Sequence, residues 1–336
     1  MGLRMGDSRF RAQTGEIPVI GLSPLSNGAH GLRKIADDVA AACENTGFFY
    51  VRDHGVPPAL VKRVFAANQA FHAMPIEKKL ELQINQFYRG YVPFAGSTLK
   101  TSSIEAARKP NQSEQILFRH ELPPDDPEVV AGLPLQGPNQ WPNEKDLPGF
   151  RTLISEYMAA CEGLARQLLV VFEQALQLPQ GFFDPFFERP TTNLKLLHYP
   201  AQPADRPEDQ YGAAPHTDFG FVTILAQDNT GGLEVRSRQN NWISAPVVPG
   251  TFVVNIGDVL ARWTNGRFAS TPHRVINRAP DRSRYSVPFF MDPNMNQTIE
   301  CLPGCCGPDN PSKFEPVVYR DYIATRLGTN FPIRKR

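Results

Sequence analysis

Apolar residues recur along the chain with two different periods, and each period predicts a different kind of element. In segment 30–45 apolar side chains return every three or four residues, which is the spacing of an amphipathic helix. Segment 150–178 carries the longest pattern of this kind, and a further helix is expected to begin at Pro57. Each helix presents one apolar stripe, so we expect the helices to pack against a sheet. The stripe of the longest helix consists of Leu153, Ile154, Tyr157, Met158, Cys161, Leu164, Leu168 and Phe172.

Short apolar segments bounded by turn residues dominate the second half of the chain and predict β-strands. The pair Asn265-Gly266 is typical of a hairpin turn between two such strands. Many short strands at regular intervals are typical of a sandwich or barrel, so the pattern predicts a mainly β fold with flanking helices. The expected strands of this half are 194–199, 221–225, 233–235, 242–243, 251–256, 274–276 and 285–290, and shorter ones are expected earlier at 17–20, 47–51 and 114–118.

The positions of these patterns divide the chain into five segments. A polar segment without periodicity, 1–15, is expected to be a loose leader. An N-terminal region of helices and strands spans 16–148, and the scaffold helix with its connection spans 149–190. The strand-rich core is predicted at 191–300, and a loop and helix at 301–336 end the chain.

Composition and charge exclude several classes of protein. Of the 336 residues, 41% are hydrophobic and 21% are charged, which allows a large core. The 35 basic and 34 acidic side chains leave a net charge of +1, so no electrostatic surface for nucleic acid or a membrane is expected. Neither a secretory signal nor a membrane span is visible, and the expected location is cytoplasmic. The five cysteines are an odd number and are expected to be free thiols.

The candidate metal ligands and carboxylate-binding residues lie between residues 215 and 286. In a strand, alternate side chains share a face, so His216 and Asp218 are expected to project together. With His273 as a third ligand they would form the set of two imidazoles and one carboxylate that non-haem Fe(II) oxygenases use. Arg284 and Ser286 share a face in the same way, and a guanidinium with a neighbouring hydroxyl suits a carboxylate ligand.

Taken singly, these motifs are weak, because His-x-Asp occurs by chance and Arg-x-Ser is usually a solvated strand. Their order, spacing and predicted strand context together favour one site. His54 and His198 are expected to have structural roles, the first in a turn and the second on the strand face opposite Tyr199. The candidate walls of a substrate pocket are Tyr91, Lys195, Leu197, Phe219 and Phe290.

The motifs resemble those of the isopenicillin N synthase-like family of Fe(II)/2-oxoglutarate dioxygenases over nearly the whole chain. The matching N-terminal segments are Ile17-Pro-Val-Ile20, Gly47-Phe-Phe-Tyr-Val51 and His54-Gly-Val56. The matching core segments are His216-Thr-Asp218, Gly231-Gly-Leu233, Asn255-Ile-Gly-Asp258, His273-Arg-Val275 and Arg284-Tyr-Ser286. The resemblance implies a double-stranded β-helix (jelly roll) core with helices packed outside it.

The resemblance also implies the cofactors and the roles of the site residues. Fe(II) would be held by His216, Asp218 and His273, and 2-oxoglutarate by Arg284, Ser286 and Tyr199. Plant members usually carry Asn where this chain has Leu197, which argues against a plant-type substrate such as a flavonoid. Residues 196–200 are closer to the bacterial and fungal members, including the thymine hydroxylase type.

The implied activity is oxidation, foremost hydroxylation, of an unactivated C–H bond in a small-molecule metabolite of secondary metabolism. O2 would be consumed, and succinate and CO2 would be the co-products. One alternative is an Fe(II) oxidase of the same fold that closes rings or desaturates without 2-oxoglutarate. Another is a jelly-roll protein that binds a ligand without turnover. The sequence leaves the substrate, the outcome of the oxidation and the oligomeric state open.

Overall fold

Two facing β-sheets form the centre of the computed structural model, which describes residues 17–98, 109–133, 135–203, 205, 207 and 209–330. One sheet has eight strands and the other has four, and helices pack outside the larger sheet. The prediction of a mainly β fold with a jelly-roll core and flanking helices is confirmed. The expected leader, 1–15, lies outside the described residues.

The strands follow the predicted segments closely. The first seven are β1 (Val19–Gly21), β2 (Phe48–Arg52), β3 (Gly90–Val92), β4 (Glu114–Arg119), β5 (Thr191–Tyr199), β6 (Ala213–His216) and β7 (Val222–Gln227). The next seven are β8 (Leu233–Arg236), β9 (Trp242–Ser244), β10 (Phe252–Ile256), β11 (His273–Val275), β12 (Arg284–Asp292), β13 (Thr298–Ile299) and β14 (Val317–Val318).

The helices include the long scaffold element that the apolar period predicts. They are α1 (Gly28–Asn45), α2 (Pro58–His72), α3 (Ile76–Leu80), α4 (Pro127–Val130), α5 (Phe150–Ala175), α6 (Asp258–Trp263) and α7 (Tyr319–Asn330), with short 3₁₀ turns at Ser23–Asn27 and Asp184–Phe186. No helix among the described residues has both the length and the hydropathy to cross a bilayer. All five cysteines are free, as predicted.

In both sheets the order of the strands differs from their order in the chain. The large sheet runs β1-β2-β10-β7-β12-β5-β4-β3, and the small sheet runs β6-β11-β8-β9. Strand β12 pairs antiparallel with β5 on one side and β7 on the other, and β11 pairs with β6 and β8. The inward faces of these strands enclose one cavity, whose lining residues come from both sheets.

Helix α5 packs its apolar stripe against the outer face of the large sheet. Ile154, Tyr157 and Leu168 are fully buried and belong to the same apolar cluster as Phe289 of β12. The helix ends near Ala175, because Gln177 takes a left-handed conformation, with φ at 57°. The outer face of the sheet is thereby sealed, and alternate residues of the same strands are left to face the cavity.

The pair Asn265-Gly266 does not make the predicted hairpin turn. It follows helix α6, and both residues have positive φ, 54° and 80°. The amide of Gly266 donates to the carbonyl of Ala261 at 2.8 Å, which closes the helix end. The prediction was wrong because the left-handed conformation that favours Asn-Gly in hairpins serves equally well after a helix.

A buried ionic cluster on the outer face of the large sheet centres on Glu114. Its carboxylate accepts hydrogen bonds from Lys79 Nζ at 2.8 Å, from His198 Nδ1 at 2.7 Å and from the hydroxyl of Tyr91. Burial opposes its charge, but hydrogen bonds from His198, His72, Lys79 and Tyr91 outweigh burial and hold the pKa of Glu114 well below its usual value. His198, for which a structural role is expected, thus pairs with Glu114. Through Lys79 and His198, the Glu114 carboxylate of β4 links α3 to β5.

We predict that Glu114→Gln destabilises the fold far more than Glu156→Gln. The first substitution leaves the buried ammonium of Lys79 without an anion, which typically costs about 3–5 kcal/mol. The second breaks an exposed pair with Arg63, which is worth at most about 1 kcal/mol. Urea unfolding of the three proteins measures the difference, and equal midpoints for the two variants would contradict the prediction.

Candidate metal centre and adjoining cavity

Two histidines meet at the edge of the cavity because their strands pair in register. His216 is the last residue of β6, His273 is the first residue of β11, and the two are direct partners across the antiparallel ladder. Directly opposite side chains lie within about 5.5 Å of each other at Cβ. The ring centroids of the two imidazoles are 4.3 Å apart, and the rings are inclined by 49°.

Backbone carbonyls orient both imidazoles. Nδ1 of His216 lies 2.7 Å from the carbonyl of Ala214, and Nδ1 of His273 lies 3.2 Å from the carbonyl of Thr271. A carbonyl can only accept, so Nδ1 of each ring carries the proton and Nε2 presents its lone pair. This is the arrangement in which metal-binding histidines are commonly held.

Asp218 supplies the carboxylate, although not from the strand that the sequence predicts. Strand β6 ends at His216, and Asp218 lies in the turn beyond it, where its carbonyl accepts from the amide of Asp258 at 2.8 Å. Its Oδ1 is 3.9 Å from Nε2 of His216 and 3.8 Å from Nε2 of His273. The three ligand atoms lie within 4.8 Å of one another, close enough for a single ion to bridge them.

Two neutral side chains fix the Asp218 carboxylate. Its Oδ2 accepts from the hydroxyl of Thr223 at 2.6 Å and from the amide of Asn255 at 2.7 Å. With Oδ2 engaged, Oδ1 is the oxygen that faces the imidazoles. The sequence predicted neither role, because nothing in the spacing of Thr223 on β7 or Asn255 on β10 relates them to the ligand motif.

The turn that carries Asp218 depends on a glycine. A Cβ atom on Gly220 would lie 1.8 Å from Oδ1 of Asp292, so no other residue fits without moving that carboxylate. The same Asp292 oxygen accepts from the amide of Phe221 at 2.7 Å. The turn is thereby fixed to the end of β12, which determines where the chain leaves the ligand cluster.

Burial and neighbouring groups set the protonation of His216 and Asp218 in a way that favours a bound cation. It lowers the pKa of His216 to about 4, aided by the neighbouring His273 and opposed by Asp218, so the imidazole is neutral at physiological pH. Burial works against the charge of Asp218, but the two imidazoles and the hydrogen bonds from Asn255 and Thr223 outweigh it, so the pKa of Asp218 lies below its usual value. A neutral imidazole at His216 beside a charged carboxylate suits a divalent metal ion.

Arg284 lines the same cavity with part of its guanidinium unpaired. The side chain is fully buried; its Nε donates to the carbonyl of Gly231 at 2.6 Å and its Nη2 to Oε1 of Gln227 at 3.2 Å. Its Nη1 is buried without a hydrogen-bond partner, and no carboxylate of the described residues lies within ion-pair distance. A buried cation without an anion is costly, so this part of the cavity fits an anionic ligand such as the carboxylate of 2-oxoglutarate.

Tyr199 and Ser286 adjoin this guanidinium as the sequence predicts. Tyr199 is the direct partner of Arg284 across β5 and β12, and its ring centroid lies 4.8 Å from Cζ of Arg284. Ser286 is buried two residues farther along β12, next to Leu197 of β5. Both line the cavity, so a carboxylate at Arg284 would have a hydroxyl donor beside it.

Four of the five predicted pocket residues line this cavity, namely Lys195, Leu197, Phe219 and Phe290. The fifth prediction, Tyr91, was wrong. Tyr91 is fully buried on the opposite face of the sheet, where its hydroxyl donates to Glu114. It pairs with Ile116, and directly paired residues share a face, so the register of β3 on β4 turns its ring away from the cavity.

Two family models match the chain. The model described as the non-haem dioxygenase in morphine synthesis N-terminal domain matches residues 17–144, and that of the 2OG-Fe(II) oxygenase superfamily matches residues 191–293. Among curated relatives, the 2-oxoglutarate-Fe(II) type oxidoreductase hxnY of Emericella nidulans is 36% identical over 91% of this chain and 88% of its own length. The 2-oxoglutarate-dependent dioxygenase citB of Monascus ruber is 38% identical over 85% of this chain and 87% of its own.

A solved structure shares the fold over almost the full length. The full-length Neurospora crassa protein crystallised in complex with alpha-KG and thymine superposes with a TM-score of 0.82 at 29% identity. The superposition covers 93% of this chain and 96% of the Neurospora chain. The likeness therefore extends over both sheets and the helices outside them.

We predict that Thr223→Val weakens the binding of Fe(II) by roughly tenfold or more, because groups that orient a metal ligand typically contribute 10–100-fold in affinity. Valine keeps the shape of threonine but cannot donate to Oδ2 of Asp218. Anaerobic titration calorimetry measures the dissociation constant, and the exposed Thr298→Val serves as the control. Equal affinities in the two variants would show that the hydrogen bond does not matter.

Proposed function

Because the chain belongs to the 2-oxoglutarate- and Fe(II)-dependent oxygenases, we propose that it hydroxylates an unactivated C–H bond of a small-molecule metabolite. One oxygen atom of O2 would enter the product and the other would enter succinate, which forms with CO2 from 2-oxoglutarate. The observation that carries this proposal is a single cavity lined both by the His216, Asp218 and His273 cluster and by Arg284, whose guanidinium is partly unpaired.

The three clustered side chains are proposed to hold the iron. His216 and His273 would bind through Nε2, since Nδ1 of each ring is engaged by a backbone carbonyl, and Asp218 would bind through Oδ1. The bound Fe(II) supplies the activation of O2, which no protein side chain performs. Thr223 and Asn255 keep the carboxylate in place by their hydrogen bonds to Oδ2.

Arg284 is proposed to bind the distal carboxylate of 2-oxoglutarate. Gly231 and Gln227 hold two of its nitrogens, and Nη1 is left without a protein partner. Ser286 would donate from beside it, and the ring of Tyr199 covers the guanidinium. The role of these residues is to bind and orient the cosubstrate and to exclude water from the charged contact.

The alternative of an Fe(II) oxidase that does not use 2-oxoglutarate makes a different prediction for the same residues. In such an enzyme, Arg284 would bind a carboxylate of the substrate, and 2-oxoglutarate would have no site. Binding of 2-oxoglutarate to the metal-loaded protein, followed by succinate formation with substrate and O2, tests the proposal. Substrate oxidation without succinate would favour the oxidase.

We predict that Asp218→Ala abolishes both high-affinity Fe(II) binding and succinate formation, since the remaining two imidazoles carry no charge to offset that of the ion. The matched control is Asp321→Ala, whose carboxylate is exposed on helix α7. Iron content after anaerobic loading and succinate yield measure the two effects. Full activity of Asp218→Ala would remove this residue from the ligand set.

We also predict that Arg284→Gln weakens 2-oxoglutarate binding by at least roughly 30-fold, because removing one partner of a buried charged pair costs about 2–5 kcal/mol. Arg282→Gln is the control, since Arg282 lies two residues earlier and is exposed. Calorimetric titration of 2-oxoglutarate into Zn(II)-loaded protein gives the dissociation constants. Unchanged affinity in Arg284→Gln would place the cosubstrate elsewhere.

A further inference from the structure

Besides Arg284, the cavity is lined by Lys195, a cation that the cosubstrate does not account for. Lys195 projects from β5 into the cavity and is half-buried there. Its ammonium lies 4.8 Å from the ring centroid of Phe290. Among the described residues it makes no hydrogen bond or ion pair with any protein group.

The strand ladder separates Lys195 from the proposed cosubstrate pocket. Arg284 pairs with Tyr199, and Lys195 precedes Tyr199 by four residues on the same face of β5. At a rise of about 3.3 Å per residue, the two backbone positions are about 13 Å apart along the strand. Phe290 lies farther still from Arg284 on β12, so an ammonium against its ring points away from the guanidinium.

Two cations and two carboxylates face this part of the cavity, and both carboxylates are engaged by groups other than Lys195. Arg119 of the neighbouring strand β4 lines the same cavity and is buried. The acidic groups that face this region are Asp218, which belongs to the ligand cluster, and Asp292, whose pKa is raised by burial to about 6. Burial lowers the pKa of Lys195, with Asp218 acting against it and Arg119 adding to it. No carboxylate of the described part of the chain pairs with the ammonium directly, so an anionic ligand group would be stabilised here.

Aromatic surface adjoins this cation. Phe290 and Phe219 are half-buried and line the cavity, so part of each ring is free to contact a ligand. Ligand pockets typically combine such apolar walls with a few polar groups that fix orientation. A ligand held at Lys195 would therefore find aromatic surface for its apolar body in the same cavity.

We propose that Lys195 binds a carboxylate of the substrate, so that the metabolite oxidised is a small organic acid with an apolar or aromatic body. This inference rests on the proposed function, because it assigns the Arg284 end of the cavity to 2-oxoglutarate. The acid group would orient the substrate and thereby decide which carbon lies nearest the iron. Lys195 is then a binding residue that determines specificity.

The test compares ligands of nearly the same shape, one with a charged carboxylate and the other with a neutral carboxamide. Benzoate with benzamide, and phenylacetate with phenylacetamide, are titrated into protein loaded with Zn(II) and 2-oxoglutarate, in which no turnover occurs. Dissociation constants come from ligand-observed NMR. The variants are Lys195→Met, which keeps the length without the charge, Lys195→Arg, which keeps the charge, and Lys78→Met, an exposed control.

We expect the wild-type protein and Lys78→Met to bind at least one carboxylate roughly 10- to 100-fold more tightly than its amide, the range of a charge-assisted hydrogen bond. Lys195→Met should lose this preference, and Lys195→Arg should retain most of it. The proposal is overturned if the wild-type protein shows no preference or binds neither carboxylate. It is equally overturned if Lys195→Met keeps the preference.

A second titration separates this proposal from the function on which it rests. Lys195→Met should bind 2-oxoglutarate within about threefold of wild type, whereas Arg284→Gln should not. If Lys195→Met loses cosubstrate affinity as Arg284→Gln does, Lys195 serves the cosubstrate and the substrate assignment fails while the function stands. If the wild-type protein does not bind 2-oxoglutarate at all, the proposed function fails, and the carboxylate–amide comparison without cosubstrate still decides the role of Lys195.

Discussion

The direct pairing of His216 with His273 across two antiparallel strands is the constraint on which the site depends. It brings two imidazoles together from positions far apart in the chain, with their centroids 4.3 Å apart. The backbone carbonyls beside them decide which nitrogen faces inward. Asp218 can then complete the cluster from a turn, because Thr223 and Asn255 of the opposite sheet hold its carboxylate. The ligand geometry therefore requires both sheets.

The large sheet also sets the distance between the charged groups of the cavity. Arg284 and Lys195 lie on paired strands, and their separation is fixed by the ladder between β5 and β12. Among the residues that the structure describes, neither cation has a carboxylate within ion-pair distance, which is unfavourable away from bulk water unless a ligand supplies the opposite charge. Under the proposed function, the same rigid sheet holds the cosubstrate at one end and orients the substrate at the other. Preorganisation of this kind lowers the entropic cost of bringing reacting groups together.

Several features could be predicted from local sequence because their causes are local. The stripe of α5 follows from side chains spaced every three or four residues. His54 was expected in a turn, and its Nδ1 accepts from the amide of Val56, only two residues away. Other features could not be predicted because their causes lie in a distant segment. Tyr91 faces Glu114 instead of the cavity because of its pairing with β4, and shifting that register by one residue would turn its side chain to the other face.

By itself, the sequence determined which candidate site residues the protein contains and in what order: two histidines, a carboxylate and an arginine. It also determined the apolar periodicity of the helices and strands around them. Periodicity and short motifs depend on neighbouring residues, and so they can be identified along the chain. Only the tertiary structure decided that Thr223 and Asn255 orient Asp218. It also decided that Arg284 has an unpaired nitrogen and that Lys195 is separated from Arg284 along the paired strands. These relations join strands that are distant in sequence, and they arise from strand register and burial, which exist only once the two sheets have closed on each other.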